Sequence, residues 1–158
     1  MSCAWSSLAM IRVVGTLMTL VLVSCTPPSQ LRPPATPTPV LSVLGTPQYP
    51  AQVRVGQPGA ITVRVRNGGT AIPLVGLRLT DGFSKGVIVQ GTTPMAENDK
   101  IGIFGLRTLE FIGPAPGTEN DYTIRFVGKT EGNHLYDLEV LANSAVVGRY
   151  SAMIAVAR

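Results

Sequence analysis

The strongest constraint on this chain is a period of two in its apolar residues. AITVRVRN, residues 60–67, places Ile61, Val63 and Val65 on one side and Thr62, Arg64 and Arg66 on the other. Successive side chains of an extended strand point to opposite faces, so this alternation marks a strand with one buried side. LVGLRLTD, residues 74–81, repeats the scheme with Val75, Leu77 and Leu79 inward and Arg78 outward. DYTIRFVG (121–128) turns Tyr122, Ile124 and Phe126 inward. HLYDLEVLA (134–142) does so with Tyr136, Leu138 and Val140, and RYSAMIAV (149–156) with Tyr150, Ala152, Ile154 and Val156. Weaker strands are expected at 40–44, 52–55, 86–90, 101–104 and 108–112. Asn67-Gly68-Gly69 and Asp81-Gly82 supply turns, because glycine accepts positive φ.

Seven to nine short strands in about 115 residues, with turn signals between them, predict an all-β, antiparallel β-sandwich over residues 40–158. A closed barrel is the main rival. Polar alternation disfavours a parallel sheet buried on both faces, and no ten-residue window after position 40 shows a capped helical period.

Upstream of position 40 the pattern is different. TPPSQLRPPATPTP, residues 26–39, holds six of the chain's 13 prolines. Proline fixes φ and donates no backbone hydrogen bond, so the stretch is expected to be an extended tether; 14 residues at about 3.1 Å each reach roughly 40 Å. Before it, Arg12 precedes the apolar run VVGTLMTLVLV, residues 13–23, which is shorter than the 20 or so residues a membrane span needs. A basic start, an apolar middle and small residues at the end describe an export signal, with Met1 and Met10 both open as starts.

Leu22-Val23-Ser24-Cys25, which closes that run, resembles the lipobox of bacterial lipoproteins at all four positions. The resemblance implies that the Cys25 thiol takes a diacylglyceryl group, that cleavage falls between Ser24 and Cys25, and that fatty acids such as palmitate anchor the mature chain. A thiol suits that chemistry because thiolate is the stronger nucleophile toward soft electrophiles. The expected organisation is a signal peptide over 1–24, an anchor and Pro-rich tether over 25–39, and a β-sandwich over 40–158. Thr26, rather than aspartate, follows the cysteine, which in this family favours the outer membrane where there are two. The only cysteines are Cys3 and Cys25, so the predicted domain has neither a disulfide nor a thiolate zinc site.

A second resemblance spans about 100 residues. VRVGQPGAITVRVRNGGTA (53–71), VGLRLTDGF (75–83), PAPGTENDYTIRF (114–126) and TEGNHLYDLEV (130–140) are similar, in order and spacing, to bacterial surface Ig-like domains of the conserved-repeat and CARDB-like kind. This implies an Ig-like sandwich that serves as a spacer, adhesion or docking module, with no catalytic residues to carry over. The long Gly-containing stretch 95–106 departs from that pattern.

The chain carries 13 Lys and Arg against 9 Asp and Glu, a formal charge of +4; loss of Arg12 with the signal leaves +3. The basic residues are dispersed, unlike the clustered stripe of a nucleic-acid binder, so no nucleic-acid partner is expected. Arg64, Arg66 and Arg78, with Arg54 and Arg125, are a candidate basic sheet face for anionic lipid or cell-wall polymer; arginines that simply keep a sheet soluble are the plainer explanation. Glu97-Asn98-Asp99 and Glu119-Asn120-Asp121 repeat one tripeptide. Glu97, Asp99, Glu119 and Asp121 are oxygen donors of the type calcium takes, yet a tight site needs six to eight converging oxygens, so no metal or other cofactor is expected. His134, the only histidine, has Asp137 three residues away, but no nucleophile elbow accompanies them and no catalytic residue is assigned.

The sequence therefore predicts a non-enzymatic, lipid-anchored cell-envelope protein. Its partners are the membrane, through Cys25, and a protein or cell-wall polymer. A structural accessory subunit of a membrane complex is the alternative; an envelope ligand carrier or enzyme is the least favoured.

Overall fold

The computed structural model describes residues 40–158. Ser24, Cys25, the signal peptide and the tether lie outside the described residues. Ten strands are present: β1 (Leu41–Val43), β2 (Gln52–Arg54), β3 (Pro58–Asn67), β4 (Leu74–Leu79), β5 (Val87–Thr93), β6 (Asn98–Ile101), β7 (Arg107–Ile112), β8 (Glu119–Gly128), β9 (Gly132–Ala142) and β10 (Ala145–Ala157). A six-residue helix, α1 (Asp81–Gly86), and one 3-10 turn, Ile103–Gly105, complete the described elements.

The strands form two separate sheets, which excludes the closed barrel. Sheet A has the order β1-β3-β8-β5 and sheet B the order β2-β10-β9-β4-β7-β6. The Ig-like β-sandwich expected from the sequence is the architecture found. Its pairings are antiparallel except β2 with β10, which run parallel. That pairing is confined to the last three residues of β10, Ala155–Ala157, beside Gln52–Arg54.

Alternation decides which residues meet between the sheets. Ile61, Val63, Val65, Tyr122, Ile124 and Phe126 of sheet A are buried against Val75, Leu77, Leu79, Leu109, Phe111, Leu138, Val140 and Ile154 of sheet B. Each large side chain removed from water contributes about 1.5–3 kcal/mol, which is what opposes the entropy of ordering so many short strands. Glycine also matters within sheet A, where Gly59 of β3 stands opposite Phe126 of β8. A Cβ on Gly59 would stand 2.6 Å from the Phe126 ring.

Two local expectations are corrected. Residues 101–104 do not form a strand: β6 ends at Ile101, and the chain reverses over 102–106 to enter β7. Gly102 N–H donates to Leu106 O across that reversal, and Phe104 and Gly105 take left-handed backbone (φ 60° and 71°). Residues 81–86 are helical where a simple turn was expected. Six residues are too few to display a helical period, but Asp81 and Lys85 pair across one turn and suit the two ends of the helix dipole. α1 drops Phe83 into the end of the core, against Phe126 (ring centroids 5.5 Å apart) and Tyr136 (5.1 Å).

Candidate binding surface

The arginines of the expected basic face divide between the two outer surfaces. Arg64, Arg66 and Arg125 lie on sheet A, and Arg54 and Arg78 on sheet B. Three strand spacings separate even Arg54 from Arg78, since β10 and β9 intervene. The charges are also answered locally. Arg64 makes two hydrogen bonds to Asp121, Nε to Oδ1 at 2.6 Å and Nη2 to Oδ2 at 2.9 Å. The Arg64 guanidinium holds the Asp121 carboxyl below the usual carboxylate range, against the opposing effect of desolvation. Arg66 stands opposite Glu119 in the β3–β8 register. Arg78 and Arg149 both reach Glu139, each at 2.9 Å, in one row across β4, β9 and β10. Cross-strand charge pairs of this kind fix register and keep a sheet face soluble. They do not leave a continuous cationic platform.

The acidic tripeptides are not brought together. Asn98 and Asp99 lie in β6 of sheet B and Glu119–Asp121 in β8 of sheet A. Asp99 is engaged by Arg107 and Asp121 by Arg64. Among the described residues no three acidic, histidine or cysteine side chains converge on one point. The polar atoms of His134 and Asp137 are likewise separated. The two residues are an odd number apart in β9, so they occupy opposite faces. Asp137 accepts a hydrogen bond from Ser151 Oγ, and His134 Nε2 lies 2.8 Å from Thr130 O. The mutual geometry of a nucleophile–base–acid relay is absent from this trio.

What the fold does concentrate is apolar surface at one corner. β5 is one edge of sheet A, the other being β1, and β6 is one edge of sheet B, the other being β2. Between β5 and β6 runs a groove of about 220 Å³ lined by Ser84, Val87, Ile88, Ile101, Arg107 and Lys129 among others. Above it stand Ile88, Ile101, Ile103 and Phe104, which are 50%, 75%, 80% and 87% exposed. Such a group differs from the scattered exposed leucine of any protein surface, because Ile101, Ile103 and Phe104 fall within four residues at one chain reversal and Ile88 and Ile101 wall the same groove. Phe104 also adopts left-handed backbone, which costs an L-residue other than glycine roughly 1–2 kcal/mol.

Charged residues rim this corner. Lys85 pairs with Asp81 and Arg107 with Asp99, while Lys100 pairs with Glu110 on the outer face of sheet B. The Lys100 ammonium, helped by Asn98, holds the Glu110 carboxyl below its ordinary range in spite of desolvation. Lys129 has no carboxylate partner among the described residues. The sequence reading passed over these residues because an apolar run flanked by glycines looks the same whether it is buried or exposed. The available signal was three large apolar side chains, Ile101, Ile103 and Phe104, within a Gly-containing stretch where a loop is ordinarily polar.

No family model matches the chain, and no curated protein matches it. Among solved structures, the chain is similar to the CARDB domain of a Pyrococcus furiosus protein crystallised with two metal ions. The two are 17% identical, the match covers 75% of this chain and 94% of that one, and the TM-score is 0.45. It is also similar to a cohesin module of a Clostridium perfringens family 33 glycoside hydrolase, at 12% identity, 77% and 98% coverage and a TM-score of 0.48. A two-domain piece of the S-layer protein SbsC matches at 16% identity, with 77% of this chain and 48% of that one covered and a TM-score of 0.42. No residue role is carried over from these proteins.

Proposed function

We propose that this chain is a lipid-anchored bacterial envelope protein whose sandwich is a non-catalytic binding module, with the β5–β6 corner as its contact surface. The observation that carries the binding role is the corner itself. A closed two-sheet core has no use for Ile103 and Phe104 in water, on a turn that holds Phe104 in an unfavourable backbone region. Their retention is accounted for by a surface that covers them.

The anchoring half of the proposal is supported by the sequence. Leu22-Val23-Ser24-Cys25 supplies the lipidation site, and residues 26–39 supply a spacer between it and the first strand. Two or three acyl chains give firm attachment where one gives only marginal binding. An envelope location follows from that anchor, with the outer membrane favoured by Thr26 in a two-membrane cell.

The mass of the N-terminal peptide of the membrane-extracted protein tests this. A mature chain that starts at Cys25 with a diacylglyceryl thioether is expected, and Cys25→Ser should leave the signal uncut. A free thiol at Cys25, or a mature terminus elsewhere, would refute the anchor.

A further inference from the structure

We infer that the β5–β6 corner seats in the lipid surface itself, at the boundary between headgroups and acyl chains, so that the domain leans back onto the membrane that holds Cys25. This deepens the function proposed above and rests on its anchor. Three observations carry it.

The first is the shape of the apolar group. Ile103 and Phe104 stand almost wholly in water on the reversal between β6 and β7 and do not line the groove, whose apolar walls are Val87, Ile88 and Ile101. A protruding apolar turn matches a deformable apolar phase, which needs no complementary relief, better than it matches a rigid partner.

The second is charge. Arg107 and Lys129 line the groove and Lys85 stands on α1 beside it, against Asp81 and Asp99, so cations outnumber carboxylates there by three to two. Long cationic side chains can lay their stems along apolar surface and keep their heads at the phosphates.

The third is the tether and where it ends. Residue 40 precedes β1, and Leu41 pairs with Asn67 at the far end of β3. The corner lies at the other end, where Pro58 pairs with Val127 and Val87 with Gly128. Ten residues of β3 span about 30 Å along the strand, and β1 and β5 are separated across sheet A by roughly 14 Å, three strand spacings. The expected reach of residues 26–39, about 40 Å, is what a chain needs to climb the length of the domain from the membrane and enter it from above. That reach is long enough to let the apolar corner meet the lipid.

The test uses the lipidated protein purified from membranes and returned to vesicles of phosphatidylcholine and phosphatidylglycerol, with or without bromine on the acyl chains. The chain's single tryptophan, Trp5, lies in the segment expected to be removed. Phe104→Trp therefore carries the only indole, and Ser42→Trp places one on β1 at the opposite end as a control. Expected is a blue-shifted emission for Phe104→Trp that loses most of its intensity to brominated chains, with Ser42→Trp water-like throughout.

Protein that floats with the vesicles while the Phe104→Trp indole stays water-exposed overturns the inference and leaves the anchor standing. Equal quenching at both positions also overturns it, since the corner is then not what makes contact. An indole exposed on vesicles but protected in envelope fragments would assign the corner to a protein partner instead. Quenching at Phe104→Trp in protein whose Cys25 proves unmodified would support the corner and refute the anchor.

Discussion

At the end of the sandwich where β3 finishes, the closure is made of hydrogen bonds. Asn67, the only buried polar side chain among the described residues, donates from Nδ2 to Thr70 O (2.9 Å) and Pro114 O (3.0 Å), and its Oδ1 accepts from Gly69 N–H (3.0 Å). Its own backbone adds bonds to Thr118 and Gly117. Nearby, the Tyr122 hydroxyl donates to Ile112 O at 2.7 Å. At the other end, α1 closes the core with Phe83 among Phe126 and Tyr136, and the buried Tyr136 hydroxyl has no partner among the described residues. Beyond it, Phe104 and its neighbours face water. One end is specified by polar groups that satisfy one another. The other is packed by shape and spills apolar surface outward. A polar staple is a device for stability, whereas an apolar overflow is a cost to solubility that a contact surface explains.

If that contrast is right, the largest loss of stability should come from the stapled end. Asn67→Ala strands two carbonyls and one N–H in a buried corner, and a buried group left without its partner costs about 1–3 kcal/mol. A loss of roughly 3 kcal/mol in urea unfolding is expected, allowing for partial access of water to the loops. A loss under about 1 kcal/mol would mean that the loops 67–70 and 114–118 hold together without it and that the polar staple is not what closes this end.

The two buried tyrosines give a direct comparison of the ends. Tyr122→Phe removes a hydrogen bond and strands Ile112 O, so a loss of about 1 kcal/mol is expected. Tyr136→Phe removes a hydroxyl that has no partner, so stability should hold or rise by up to about 1 kcal/mol. Alkaline titration sharpens this. Burial, and then the neighbouring Tyr49, push the Tyr136 phenol well above its ordinary value of 10.0. Burial also raises Tyr122, partly offset by Asn120. A phenol that ionises more readily in the unfolded chain leaves stability intact below about pH 10 and erodes it as pH climbs above that value. Tyr136→Phe should therefore flatten the alkaline fall measured by unfolding above pH 10. An unchanged slope would show that the hydroxyl meets water in solution.

These contrasts also show what the sequence could and could not convey. Ile61, Val63, Val65, Leu77, Tyr122 and Leu138 were legible as core because in a strand the face a residue occupies depends only on its neighbours. The basic face was not legible. Arg64 and Arg78 have identical local patterns, and only the pairing of β3 with β8 and of β4 with β9 assigns them to opposite sides. Asn67 read as one member of an Asn-Gly-Gly turn, because its partner Pro114 is 47 residues away. Residues 101–104 read as a weak strand, since period and hydropathy report apolar character and not what covers it. Long-range pairing decides all three cases.

The smallest expected effect separates the demands of the fold from those of the contact surface. Phe104 sits at φ 60°, ψ 28°, where asparagine is tolerated better than a bulky aromatic. Its side chain contributes little to the core, being almost fully exposed. Phe104→Asn should therefore keep the reversal between β6 and β7 and raise stability by about 0.5 kcal/mol through partial relief of the backbone strain. Differential scanning calorimetry would read this as a slightly higher Tm. A clear fall in Tm would mean that the phenylalanine serves the fold and would remove the main reason to place a partner there. A rise, together with weaker retention of the domain on lipid vesicles, would mean that the chain gives up stability at this one position for the sake of a surface outside itself.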